Sequence, residues 1–192
     1  METPIKNTCK NLLLKYGLII LMMILCCSCA AFHHKSQKSS EKNTGIFYGD
    51  ISKKIEMLRQ DLQSLNFEID ATEAKKLAEA SISYSLILAD EYRLVRPPYL
   101  HNILVRIGLK DRGLCYQWAG DLMKRLTILK LKTFSLHQGV AHRGSNFREH
   151  NSVIVTAIGQ KFNEGIVLDP WRNSGKLYWT KVKSDRYAWE ER

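Results

Sequence analysis

Three residues carry the chemistry this sequence could perform: Cys115, His150 and Asp169, spaced 35 and 19 residues apart. Cys115 stands just after Arg112-Gly113-Leu114, where an apolar helical pattern begins. Apolar residues recur at Cys115, Trp118, Ala119, Leu122, Met123 and Leu126, the spacing of one helix face. That places Cys115 in the first turn of a helix with a buried body. Unpaired N–H groups and the helix dipole favour a thiolate there, and the thiolate is the nucleophilic form of cysteine. The same pattern also suits a small core residue, because free cysteine is often buried. His150 directly precedes a β-branched run, and Asp169 directly follows a second one. If the two runs pair as antiparallel strands joined by a short turn, both residues fall at one edge of the sheet. Asp169 can then hold one imidazole nitrogen while the other faces Cys115. In acyl chemistry the thiolate attacks, the histidine moves the proton and the carboxylate fixes its tautomer. His137 and His142 are alternatives to His150, but neither abuts so clear a strand.

The elements that must position these residues follow in order. Ile51, Ile55, Leu58, Leu62 and Leu65 repeat at helical spacing, with Asp50 as a candidate N-cap. Asp70-Ala71-Thr72-Glu73 opens a second helix reaching about Leu94, with Leu77, Ala80, Tyr84, Leu88 and Tyr92 inward. Arg96-Pro97-Pro98 ends it, because residues before proline avoid the helical region. A short helical turn over His101–Ile107 leads through Gly108 to the helix that starts at Cys115 and ends between Leu126 and Lys130. The period then changes to two. Strands are expected over Leu131–Leu136, Asn151–Ile158, Ile166–Leu168 and, last, Leu177–Thr180, with a polar loop over His137–Asn146. Helices first and antiparallel strands second imply an α+β domain, with the helix of Cys115 packed on the sheet.

The chain has 192 residues and a formal net charge of +10. Lys6, Lys10 and Lys15 set against Glu2 supply two of those charges, so residues beyond 29 carry about +8. A basic surface suits nucleic acid, anionic lipid or an acidic cell-wall polymer. No basic run with interleaved aromatics and no zinc-finger or RNP-like motif is present, so nucleic acid is not the expected partner. Neither Cys-x-x-Cys nor a helical His-x-x-x-His occurs, so no metal or other cofactor is implied.

The N-terminus reads as a targeting segment. Lys6, Lys10 and Lys15 precede the apolar run Gly17–Leu25, and Cys26-Cys27-Ser28-Cys29-Ala30 follows. A positive segment, a short apolar run and small residues describe a secretory signal peptide. The crowded cysteines resemble the lipobox of bacterial lipoproteins, in which a cysteine becomes the lipidated N-terminus. Cys29, after Ser28, fits that role, and Cys27 is the alternative. The expected organisation is a lipoprotein signal peptide over 1–29, a Ser/Lys-rich tether over 30–44 and one domain over 45–192. Cleavage before Cys29 and its lipidation would leave Cys115 as the only free thiol of the mature protein.

Gly113-Leu114-Cys115-Tyr116-Gln117-Trp118-Ala119, Glu149-His150-Asn151-Ser152-Val153-Ile154-Val155 and Ile166-Val167-Leu168-Asp169-Pro170-Trp171 together resemble the three blocks of the transglutaminase-like proteins. These belong to the papain-like cysteine-hydrolase superfamily. The resemblance covers about residues 108–180. It implies Cys115 as nucleophile, His150 as general base and Asp169 as its orienter. One departure is that Asn151-Ser152 follows the histidine where that family often has an aromatic. The oxyanion-hole candidates are the backbone N–H of Cys115 and the side chains of Gln117 and Gln138.

The function expected from these readings is a membrane-tethered cysteine hydrolase, a peptidase or amidase acting on a protein or peptidoglycan-type amide. It would sit in the bacterial cell envelope, facing the periplasm or the exterior on its lipid anchor. The alternative is a non-enzymatic envelope lipoprotein that uses the same fold as a binding module.

Overall fold

The computed structural model describes residues 49–192. The expected signal peptide, the tether and the lipidation at Cys29 or Cys27 lie outside the described residues. Within the unit Ile51–Arg192 the fold is α+β: four α-helices and one five-stranded antiparallel sheet among the described residues.

Helix α1 (49–63) turns Leu58 and Leu62 fully inward, as their spacing demands. Helix α2 (Ala71–Glu91) starts on the Asp70 cap, whose carboxylate accepts the Glu73 N–H at 2.8 Å. Its buried face runs through Ala74, Leu77, Ala78, Ser81, Ile82, Ser85 and Leu88. That face is rotated from the expected one, so Ala80 and Tyr84 are only half-buried. Ser81 and Ser85 tolerate burial because each hydroxyl donates to the carbonyl four residues back, at 2.7 and 2.6 Å. The helix stops at Glu91 rather than near Leu94. Arg93 takes a φ of 46°, and the Leu94 N–H closes on the Ala89 carbonyl at 3.0 Å, a left-handed C-terminal cap. Helix α3 (Pro98–Arg106) begins three residues before the expected His101. Proline suits a first helical position, where its missing N–H would have no partner anyway. Helix α4 (Cys115–Thr127) begins at the expected residue and buries Trp118, Ala119, Leu122 and Leu126.

The strands are β1 (Phe134–Ala141), β2 (His150–Ala157), β3 (Ile166–Asp169), β4 (Tyr178–Lys181) and β5 (Trp189–Glu191), in the order β4-β3-β2-β1-β5. Three expectations need correction. β1 does not start at Leu131, because the Lys132 and Thr133 N–H groups donate to the Glu73 carboxylate at 2.8–3.0 Å instead of to a strand. It also runs through His137, Gln138 and Gly139, which read as loop. Those residues are held as strand by β2 on one side, and Gly139 to Ala141 also by β5 on the other. β5 itself is unannounced, since three residues show no period, and it displaces β4 as the last strand.

All eight residues of β2 are buried. The strand lies second from neither edge, and its alternate side chains feed two cores. Val153, Val155 and Ala157 meet α1, α2 and α4, while Ile154 joins Val167, Val182 and Trp189 on the opposite face. A central strand covered on both faces loses the polar alternation that would mark it. Among the described residues no helix is long and apolar enough to cross a membrane.

Candidate active site

The β2–β3 register pairs Val153 with Leu168, Ile154 with Val167 and Val155 with Ile166. Continued by one step, Ser152 stands opposite Asp169. His150 and Ser152 share a face of β2, so His150 and Asp169 are diagonal neighbours within reach of longer side chains. Their contact is direct: His150 Nε2 lies 2.6 Å from Asp169 Oδ2. The other ring nitrogen, Nδ1, is not taken by Asp169, and Cys115 lies close enough for the thiol and the imidazole to act on each other's charge. The three residues singled out in the sequence are thus brought together.

The Asp169 end is enclosed. Both Asp169 and His150 are buried. Asp169 Oδ1 accepts the Trp171 and Arg172 N–H groups, each at 3.1 Å, and Oδ2 accepts Arg172 Nε at 2.9 Å beside the histidine. Arg172 also clasps Asp185 with both terminal nitrogens, at 2.9 and 2.8 Å, and Asp185 accepts Trp189 Nε1 at 2.9 Å. Burial opposes the charges on Arg172 and Asp185, but their mutual hydrogen bonds outweigh it and hold both ionised. Aromatic rings close on His150, with centroids of Trp171, Tyr187 and Trp189 at 4.9, 5.0 and 5.5 Å.

The Cys115 end is open. The sulfur is half-buried and is the one free thiol among the described residues. It stands 3.6 Å from the Glu149 carbonyl oxygen and 4.0 Å from the Asn151 amide nitrogen. Its helix is seated by Trp118, fully buried, whose Nε1 donates to the Gly113 carbonyl at 2.9 Å. Gly113 adopts a φ of +125°, and a Cβ there would come within 2.2 Å of His101 Nε2. His101 is a structural histidine: Nδ1 accepts the Val95 N–H at 3.1 Å, and Nε2 donates to the Arg112 carbonyl at 2.8 Å.

Burial pushes the Cys115 thiol up, but the adjacent His150, and after it Asn151, outweigh this, and its pKa lies below the ordinary value. Burial likewise pulls His150 down. Asp169 and Cys115 outweigh that and raise it to about 9. The two shifts favour a thiolate–imidazolium pair, which is the reactive state of a cysteine nucleophile.

Other candidates stand elsewhere. His137 Nδ1 pairs with Glu191 at 2.6 Å and Nε2 with Thr156 at 3.0 Å. His142 lines the cleft but rests edge-on against Tyr187. The Gln117 side-chain oxygen accepts the Gly113 and Leu114 N–H groups, at 2.8 and 3.0 Å, so its work is to cap α4. Gln138 is exposed on β1. The amide nearest the sulfur belongs instead to Asn151. Its Oδ1 accepts Arg192 Nη1 at 2.8 Å, and Arg192 Nη2 grips Glu149 at 3.0 Å. This fixes the amide with its NH2 toward Cys115. The one sequence signal for Asn151 is its place beside His150, as the departure from the aromatic. Arg172 follows Asp169-Pro170-Trp171 without any signal. Among the described residues no group of three His, Cys, Asp or Glu side chains is arranged to hold a metal ion.

Cys115 and His150 open into a cleft of about 700 Å³, walled by α3, the β1–β2 loop and the segment before β5. Fold and site together define an α+β domain with a buried Asp–His pair presented to a half-exposed thiol. Comparison with family models, with curated proteins and with solved structures finds no match to this chain.

Proposed function

We propose that this protein is a cysteine hydrolase of the transglutaminase-like, papain-like kind, acting on an amide through Cys115, His150 and Asp169. The observation that carries the reading is that His150, hydrogen-bonded to buried Asp169 at 2.6 Å, lines one cleft with Cys115, whose sulfur stands between the residues flanking that histidine. The Cys115 thiolate attacks the amide carbonyl carbon, a C–S bond forms, and the carbonyl electron pair moves to oxygen. The Cys115 backbone N–H, at a helical position without an internal partner, and the Asn151 NH2 are the donors proposed for that oxyanion. Collapse breaks the C–N bond as the His150 imidazolium gives its proton to the departing amine. Water then attacks the thioester and yields a proton to His150, and the thiolate leaves. An amine in place of water would make the reaction acyl transfer.

The basic, apolar and cysteine-rich segment over 1–29 supports a lipid anchor at Cys29 and a position in the bacterial cell envelope. Cys29→Ser should then abolish acyl labelling and membrane partition, and unchanged labelling would move the anchor to Cys27 or remove it.

Iodoacetamide labelling of Cys115 from pH 5 to 10, followed by peptide mass spectrometry, tests the chemistry. The rate should rise below the ~8.5 of an ordinary thiol, and His150→Ala should move that rise upward. A rise near ~8.5 that is unchanged in His150→Ala overturns the reading.

A further inference from the structure

We propose that the cleft is built for acidic peptides, that is, for amide substrates carrying carboxylates close to the bond attacked. The proposal rests on the reading of Cys115, His150 and Asp169 given above and assigns a substrate class to that site. Three arginines line the cleft from three separate segments: Arg106 on α3, Arg148 in the β1–β2 loop and Arg186 before β5. All three are exposed. The one acidic residue among the lining is Glu149. Its carboxylate is already engaged by the Gly144 N–H at 2.9 Å and Arg192 at 3.0 Å.

Of the described arginines outside the cleft, five are neutralised and three, Arg93, Arg96 and Arg125, are not. Arg59, Arg112, Arg143, Arg172 and Arg192 each have a carboxylate partner. Arg106, Arg148 and Arg186 have none among the described residues. Arg106 donates one N–H to the Asn146 carbonyl at 3.1 Å and lies 5.2 Å from the Phe147 ring. Arg186 lies 5.0 Å from the Tyr187 ring. These contacts locate two guanidiniums and still leave them most of their five donors. A guanidinium fork matches a carboxylate in two parallel hydrogen bonds. Unneutralised cations around a concave wall also concentrate anions there.

The rest of the wall suits a peptide. Tyr99, Tyr116 and Phe147 line the same cleft at 61%, 54% and 85% exposure. Apolar side chains between the carboxylates would cover these rings.

The test uses the full chain in a neutral detergent with Cys115→Ala, so that binding is read without turnover. Rhodamine-labelled octapeptides of equal length, one rich in Glu, one with Gln at the same positions and one with Lys, are titrated by fluorescence anisotropy. The Glu peptide should bind at least about tenfold more tightly than the Gln peptide, and the Lys peptide more weakly than either. Added salt should narrow the gap. Arg148→Gln with Arg186→Gln should remove most of the preference, and Arg106→Gln should reduce it further. Removing two charges outside the cleft, by Lys76→Gln with Lys161→Gln, should leave it within about twofold. Equal binding of the Glu and Gln peptides, or an equal loss in the Lys76/Lys161 control, overturns the proposal. Failure of the thiol chemistry would show in iodoacetamide labelling of the unsubstituted protein, and failure of the acidic preference shows here.

Discussion

Asp169 is fully buried and accepts four hydrogen bonds between 2.6 and 3.1 Å, whereas Cys115 is half-buried, with only long contacts to Glu149 O and the Asn151 amide at 3.6 and 4.0 Å. One end of the site is over-determined and the other is open, and His150 belongs to both. The difference matches what each end would have to do in the proposed reaction. A carboxylate that fixes a tautomer gains from rigidity, because each lost degree of freedom sharpens the angle at which the imidazole points. A nucleophile needs space for an incoming carbonyl and for the tetrahedral species that follows. Stability and reactivity should therefore separate between the two ends.

The largest expected effect is on reactivity at the open end. Cys115→Ala should reduce hydrolysis of an activated aryl ester by about 10³-fold or more, while urea unfolding shifts by less than about 1 kcal/mol. A large loss of stability would erase the contrast. At the enclosed end the balance reverses. Arg172→Met leaves Asp169 and Asp185 buried without their shared cation, and unfolding should become easier by about 3–5 kcal/mol. Arg172→Met combined with Asp185→Leu should recover part of that loss. A cost no larger than that of Cys115→Ala would show that the network is not rigid in the sense argued.

Asn151→Ala gives an intermediate effect. Amide or ester turnover should fall by about 10²-fold, while iodoacetamide alkylation at pH 7 changes by less than about threefold, since the thiolate keeps its imidazolium. Parallel losses in both assays would place Asn151 in thiolate activation instead of oxyanion binding. The smallest effect is a divergence in pH dependence. The thiol pKa is lowered, so alkylation should already be rising below ~8.5 and should persist at high pH. Amide turnover needs the proton on His150 as well. It should fall as pH passes about 9, where that proton is lost. Turnover that keeps rising above pH 10 would remove His150 from the proton-donating step.

Much of the site was legible because its parts are local. The helix start at Cys115 is written in six apolar residues and one glycine, and the strand starting at His150 in a β-branched run. Asp169-Pro170 marks the end of the next. The order of helices and strands gave the α+β class for the same reason: periodicity is a near-neighbour property. Asn151 and Arg172 were not legible as parts of the site. Asn151 faces the sulfur because β2 alternates its side chains and Arg192, 41 residues away, holds the amide. Arg172 matters because Asp185, 13 residues on, meets it.

By itself the sequence determined the identity and order of the three residues that meet at the site, the helix that carries the thiol and the strands that carry the His–Asp pair. Each is set by side-chain spacing along a few turns or pleats. Tertiary structure alone decided the length of β1, the existence of β5, the burial of Asp169 and the unpaired arginines around the cleft. Those depend on which distant N–H, carboxylate or ring arrives at a given place. A backbone group donates to whichever acceptor reaches it, as Lys132 and Thr133 do to Glu73, and a guanidinium stays open only where no carboxylate is folded against it.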